Sequence, residues 1–237
     1  MFNQTPYGQE NDTFNEFNEA DLEFGNVEFA ENPEPRCPCI LLLDVSGSMT
    51  GKPISELNRG LRIFKEQLQN DELASKRVEV AVITFETKVR ICNEFQTADR
   101  FEPEYLTTGG CTSMGEAIET AINILDERKN EYKQNGISYY RPWIFLITDG
   151  APTDSVDVAA RKVHDGENSK QFAFFAVGTE DADMYKLKEI SVREPLVLDG
   201  LNFSSLFQWL SNSMSSVSRS NLDAEVMLEA PSGWAKI

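Results

Sequence analysis

Residues 39–48 read Cys39-Ile40-Leu41-Leu42-Leu43-Asp44-Val45-Ser46-Gly47-Ser48. A short continuous apolar run that stops at a carboxylate is what a strand buried on both faces requires. Trp143-Ile144-Phe145-Leu146-Ile147 repeats the pattern and ends in Thr148-Asp149-Gly150, and Phe172 to Val177 is a third such run. Val78, Val80, Val82 and Phe85 mark a further strand, and Lys88 to Cys92 is expected to return antiparallel to it after a turn near Glu86-Thr87. Between the runs lie helical spacings. Ile54, Leu57, Leu61, Phe64 and Leu68 follow Pro53, a residue tolerated in a first helical turn. Met114, Ala117, Ile118, Ala121, Ile122 and Leu125 form a second amphipathic set, residues 183 to 190 a third, and Phe203, Leu206, Phe207, Leu210, Met214 and Val217 a closing one. Leu196-Val197-Leu198 reads as a short strand. Alternation of this kind predicts an α/β fold: a doubly wound, mainly parallel sheet of about six strands with one antiparallel edge strand and helices on both faces.

The chain has 237 residues, long enough to bury a sizeable core, and 41% of them are hydrophobic. No run approaches the length of a membrane span. The start, MFNQTPYGQE, lacks the basic and apolar regions of a secretory signal, so a cytoplasmic protein is expected. Net charge is −17, a surface that repels nucleic acid and anionic membranes. The four cysteines, Cys37, Cys39, Cys92 and Cys111, offer one C-x-C pair and no second pair to complete a zinc site. His164 stands alone, which argues against His-ligated metals and His-based catalysis.

Three regions are expected: an acidic, aromatic-containing N-terminal tail over 1–36, one domain over 37–220, and a C-terminal extension over 221–237. Residues 1–35 hold nine acidic residues and no Lys or Arg, together with Phe2, Tyr7, Phe14, Phe17, Phe24 and Phe29. Solvated tails rarely carry so many aromatics, so docking on the domain or on a partner is expected. Phe14 and Phe17 suit one helical face; Leu22, Phe24 and Phe29 suit an added strand.

In open α/β sheets, ligands bind outside the carboxyl ends of the strands. Asp44-Val45-Ser46-Gly47-Ser48 and Thr148-Asp149-Gly150 both fall there. So does the loop Thr107-Thr108-Gly109-Gly110-Cys111-Thr112-Ser113-Met114-Gly115, because a helix begins at its end. Asp44 and Asp149 offer carboxylate oxygens; Ser46, Ser48 and Thr112 offer hydroxyls. A donor set without nitrogen or sulfur selects Mg²⁺, Mn²⁺ or Ca²⁺ over zinc or copper. Gly47 and Gly51 free the backbone of the first loop, and Gly109, Gly110 and Gly115 are possible hinges about Thr112. Asp154 is expected to cap the helix that follows it, Ser113 to cap its own, and Cys111 to pack within its loop.

D-x-S-x-S after the first strand, a threonine in G-G-x-T-x-x-G, and T-D-G after a later strand together resemble the metal-ion-dependent adhesion site of von Willebrand factor A (VWA) domains, over roughly residues 37–220. The resemblance implies a Rossmann-like fold and a protein-binding module. Its metal would sit on Asp44, Ser46, Ser48, Thr112 and Asp149, with Mg²⁺, Mn²⁺ or Ca²⁺ taking its last ligand from an Asp or Glu of a partner protein. It also implies that Gly47, Met49, Gly110, Cys111, Ser113 and Gly150 lie on the partner-binding loops. The segment Asp149-Gly150-Ala151-Pro152-Thr153-Asp154 and the ending Trp209 to Ser218 are similar to bacterial stand-alone VWA proteins associated with tellurite resistance. That similarity implies a protein kinase and a PP2C-type phosphatase as partners, and no catalysis.

Enzyme readings fail on required residues. A haloacid-dehalogenase-type phosphohydrolase using Asp44 as nucleophile needs an aspartate where Ser46 stands. A P-loop over Gly47 to Pro53 has three residues between its glycines where four are needed, and Pro53 replaces its Ser or Thr. A Ser-His-Asp hydrolase lacks a G-x-S-x-G elbow. A metal-independent structural adaptor is the remaining alternative, and the complete set of five oxygen donors argues against it.

Overall fold

A computed structural model describes residues 28–222 and 226–236. In chain order the elements are β1 (Cys37–Asp44), a 3-10 turn (Gly47–Met49), α1 (Lys52–Asn70), α2 (Ala74–Arg77), β2 (Val78–Phe85), β3 (Val89–Thr97), α3 (Met114–Gln134), β4 (Trp143–Thr148), α4 (Asp157–Asn168), β5 (Ala173–Gly178), α5 (Met184–Ile190), β6 (Leu196–Leu198), α6 (Phe203–Arg219) and β7 (Ala235–Lys236).

The sheet runs β3-β2-β1-β4-β5-β6-β7. β1 is parallel to both β2 and β4, β5 is parallel to β4 and β6, and the two edge strands are antiparallel. Every residue of β1, β2 and β4 is buried, as strands covered on both faces must be. Alternate side chains feed two separate cores. Leu41, Leu43, Val80, Val82, Phe145 and Ile147 pack with the apolar stripes of α1 and α6. Ile40, Leu42, Ala81, Ile83, Ile144 and Leu146 pack with α3, α4 and α5.

The structure adds a second antiparallel edge within the expected extension. β7 pairs with β6, and Trp234 just before it is buried, its ring 5.3 Å from that of Trp209. Trp209 Nε1 donates to Glu229 O. Residues 28–31 form one helical turn, so Phe29 is not on a strand. The other tail expectations, for Phe14, Phe17, Leu22 and Phe24, fall on residues outside those described. Among the described residues no helix is long and apolar enough to cross a membrane.

One buried carboxylate of the sheet lies away from the carboxyl ends of the strands. Glu79 of β2 is fully buried and accepts from Arg36 Nε at 2.7 Å, from Arg128 Nε and Nη2 at 2.9 Å each, and from the Tyr132 hydroxyl. This cluster ties the entry to β1 and helix α3 to the N-terminal half of β2, far along the strand from its carboxyl end. Removing Glu79 takes the buried carboxylate from Arg36 and from two nitrogens of Arg128, whose Nη1 keeps Glu131 at 2.7 Å. Glu79→Ala is expected to lower unfolding stability by about 3–5 kcal/mol, measured by urea denaturation followed by circular dichroism. A change under about 1 kcal/mol would mean that the cluster is not a structural tie.

Candidate metal centre

Three loops converge at the carboxyl ends of β1 and β4. Asp44 ends β1 fully buried. Its Oδ1 accepts from Ser46 N at 2.8 Å and its Oδ2 from Thr148 Oγ1 at 2.5 Å. The chain then leaves the sheet through the 3-10 turn, which carries Ser48 to the surface while Ser46 stays buried. Ser46 Oγ and Ser48 Oγ are 3.0 Å apart, and Ser48 Oγ donates to Asp149 Oδ1 at 2.7 Å. One chain of hydrogen bonds thus links Thr148, Asp44, Ser46, Ser48 and Asp149. Thr112 comes from the third loop. The position a Cβ would take on Gly150 is 3.7 Å from Thr112 Oγ1 and 3.9 Å from Ser48 Oγ, so all three loops meet around Gly150.

The loops are held against one another by backbone. Gly109 N donates to Val45 O at 2.9 Å, Gly47 N to Gly110 O at 3.2 Å, and Thr153 N to Thr112 O at 2.9 Å. Gly110 has φ +64°, and a Cβ there would lie 1.8 Å from Glu86 Oε2. A Cβ on Gly115 would lie 2.2 Å from Ser155 O. These two glycines serve close approach between loops in this conformation.

Both aspartates stand where their charge is costly. Burial raises the Asp44 carboxyl above its ordinary value, opposed by the hydrogen bonds from Thr148 and Ser46 and reinforced by the Asp149 charge. Burial likewise raises Asp149, opposed by Ser48 and reinforced by Asp181. No ion pair reaches either aspartate among the described residues, although a buried carboxylate is costly without a counter-charge. A cation among two carboxylates and three hydroxyls would supply it, so the residues fit a hard divalent metal. Among the described residues no group of three or more His, Cys, Asp or Glu could hold a metal; this centre rests on hydroxyls.

The structure brings all five sequence-predicted donors together and changes the roles of their neighbours. Gly47, Gly110 and Cys111 are exposed, and Ser113 and Gly150 are half-buried. Met49 is fully buried, so it packs in the core and faces no partner. Cys111 is exposed and does not pack within its loop; its backbone N–H donates to Thr87 Oγ1. Asp154 does not cap its own helix, which starts at Asp157 behind Val156. Its carboxylate accepts from Gly115 N at 3.1 Å and Glu116 N at 2.9 Å, capping α3 from across the site. The Ser113 hydroxyl, free of that task, donates to Thr87 O. Sequence reading also missed an open hollow of about 340 Å³ beside Ser48 and Asp149, lined by Thr179, Glu180 and Asp181. Those residues belong to the β5–α5 loop and carry no motif.

A mainly parallel sheet of this order, with loops converging at its carboxyl edge, places the chain among the Rossmann-like α/β domains. The chain belongs to the von Willebrand factor type A domain family, whose model matches residues 39–206. No curated protein matches it. Among solved structures, it is similar to a von Willebrand factor type A protein from Catenulispora acidiphila, with a TM-score of 0.58 at 15% identity. That likeness covers 77% of this chain but 43% of the other, so this chain spans under half of that relative. The domain of the type V pili tip protein Mfa5 from Porphyromonas gingivalis aligns with a TM-score of 0.59 at 10% identity, over 79% of this chain and 98% of that one. Proximal thread matrix protein 1 from the mussel byssus, in a form with a zinc-occupied MIDAS motif, aligns with a TM-score of 0.54 at 16% identity, over 77% of this chain and 48% of that one.

The Asp154 cap is testable on its own. In Asp154→Ala the amides of Gly115 and Glu116 are expected to exchange hydrogen faster, while those at the start of α4 keep their protection. The global cost is expected to be about 1 kcal/mol. Faster exchange at α4 in place of α3 would return Asp154 to its own helix.

Proposed function

We propose that this domain is a metal-ion-dependent protein-binding module whose divalent cation receives a carboxylate from a partner protein. The observation that carries the reading is the hydrogen-bonded chain of Asp44, Ser46, Ser48 and Asp149, with Thr112 brought beside it at Gly150. Ser46, Ser48 and Thr112 would hold the metal through their hydroxyls, and the two aspartates directly or through water. The bound ion supplies Lewis acidity toward an incoming oxygen anion. A site so rich in neutral hydroxyls leaves the cation electrophilic, and a carboxylate arriving in a partly dry pocket binds it strongly. Ser48 and the hollow beside it give that carboxylate a way in. Thr148 positions Asp44 from behind. This assigns binding and no turnover, and the family match supports the binding reading.

The oxygen donors favour Mg²⁺, with Mn²⁺ and Ca²⁺ as alternatives; zinc occupies the motif in the mussel protein, so it belongs in the comparison. A protein kinase and a PP2C-type phosphatase in a bacterial cytoplasmic stress system of the tellurite-resistance type are the proposed partners, on the strength of the Asp149 to Asp154 segment and the ending Trp209 to Ser218.

Isothermal titration with Mg²⁺, Mn²⁺, Ca²⁺ and Zn²⁺ tests the centre. The chain is expected to take up one ion, Ser48→Ala to weaken it by about tenfold, and Asp149→Ala to abolish uptake with the circular dichroism spectrum unchanged. Equal binding by all three proteins would refute the centre. Capture of the kinase or phosphatase is expected with Mg²⁺ and lost in EDTA or in Asp149→Ala. Metal-dependent hydrolysis of a phosphate ester that disappears in Asp44→Asn would replace the binding reading with an enzymatic one.

A further inference from the structure

The opposite pole of the sheet carries chemistry that the metal centre does not use. There, at the amino ends of β4 and β5, a groove of about 560 Å³ opens beside α6. Trp143 and Phe175 floor it, their rings 4.9 Å apart, and Val217, Val226 and Leu228 form the other wall. Among the described residues its lining includes three cations, Arg141, Lys170 and Arg193, and no Asp or Glu. Through Arg141 and Lys170 it joins a second hollow of about 740 Å³, which adds Lys129, Lys133 and one carboxylate, Asp126. Five of the 22 basic residues of a chain with 39 acidic ones therefore gather at one place.

Two of these cations, Arg141 and Arg193, are held by a buried carboxylate. Buried Glu167 accepts from Arg193 Nε at 3.0 Å and lies 3.3 Å from Arg141 Nη2, while Arg141 Nε donates to Phe172 O at 2.8 Å. The Arg193 guanidinium lies 5.2 Å from the centroid of the Phe175 ring, at the edge of the floor. Lys170 is more unusual. Helix α4 closes with Lys170 N donating to Glu167 O and Gln171 N to Gly166 O, a Schellman motif whose left-handed position ordinarily holds glycine. Lys170 occupies it at φ +57°, among the described residues the non-glycine with positive φ. A lysine there costs about 1–2 kcal/mol against glycine, and it lines both hollows.

We propose that this groove docks a short acidic segment of a partner protein, with an aromatic side chain of that segment on the Trp143–Phe175 floor and its carboxylates on Arg141, Lys170 and Arg193. Charge selects the occupant. A long polyanion such as RNA would run off the cationic pole onto a surface whose net charge is strongly negative, whereas a short acidic peptide meets only the pole. The ring contact adds what a carboxylate alone lacks, since aromatics dominate such interface cores. The docking is independent of the metal centre at the other end of the sheet.

Fluorescence anisotropy with a labelled synthetic peptide of Glu, Asp and Phe, added to the full chain, tests it. Binding is expected to persist in EDTA, to weaken with salt, and to fall about tenfold in Lys170→Glu and again in Arg193→Gln, while Arg62→Glu on the exposed face of α1 leaves it unchanged. Lys170→Gly, which suits the backbone, separates loss of charge from loss of fold: it is expected to raise the melting temperature and still weaken the peptide. Equal affinity in all of these variants overturns the proposal. So does tighter binding of a labelled single-stranded RNA. Self-association of the chain that Lys170→Glu abolishes would assign the groove to a second copy. A tenfold gain for the probe when Glu16, Glu19, Asp21 and Glu23 are replaced by their amides would assign it to the chain's own tail. Either result overturns the partner assignment.

Discussion

Burial of the central strands on both faces is the constraint from which the rest of this molecule follows. β1 and β4 have no room for a polar side chain that cannot be satisfied inside the sheet, so their polar groups appear where the strands leave it. Parallel pairing of β1 with β4 then brings those exits to one edge. Asp44 and Asp149 are neighbours because their strands are neighbours, and Thr148, the last residue of β4, reaches sideways to hold the Asp44 carboxylate. Glu79 is the counter-example that defines the rule: a carboxylate does lie inside the layer, and it is met by two guanidiniums and a phenol.

The two poles of the sheet divide the charge of the chain between them. The carboxyl edge gathers aspartates with Glu180 and Asp181 close by, which suits a cation. The amino edge gathers five cations around an aromatic floor. A chain of net charge −17 thereby presents two surfaces of opposite preference. Composition reports only their sum, so the cationic pole was invisible to it.

Most of the fold was legible in the chain because the two periodicities are strong here. Ile40 to Leu43 and Ile144 to Ile147 can only be strands covered on both sides, and the stripes of α1, α3 and α6 bury the residues their spacing names. What escaped was weakly patterned. β7 is two residues at an edge, set by pairing with β6 and by burial of Trp234. Helix α4 was expected after Asp154 but without a stripe to define it: it buries Ala159, Val163, Gly166 and Glu167, too small and too polar a set to stand out, and Gly166 is there to admit the ring of Phe172.

For the site, the sequence alone determined which atoms are offered. Asp44, Ser46, Ser48, Thr112 and Asp149 were legible because a motif is local and its strand ends are read from hydrophobicity. Tertiary structure alone decided how those atoms are held and what surrounds them. Asp154 caps α3 and not its own helix, because the chain after β4 passes the amino end of α3 before it turns. Met49 turns inward and Cys111 outward, because a tight 3-10 turn and a loop pinned to Thr87 set directions that residue type does not encode. Side-chain chemistry is written residue by residue. Direction and neighbourhood arise only when segments far apart in the chain are pressed against the same sheet.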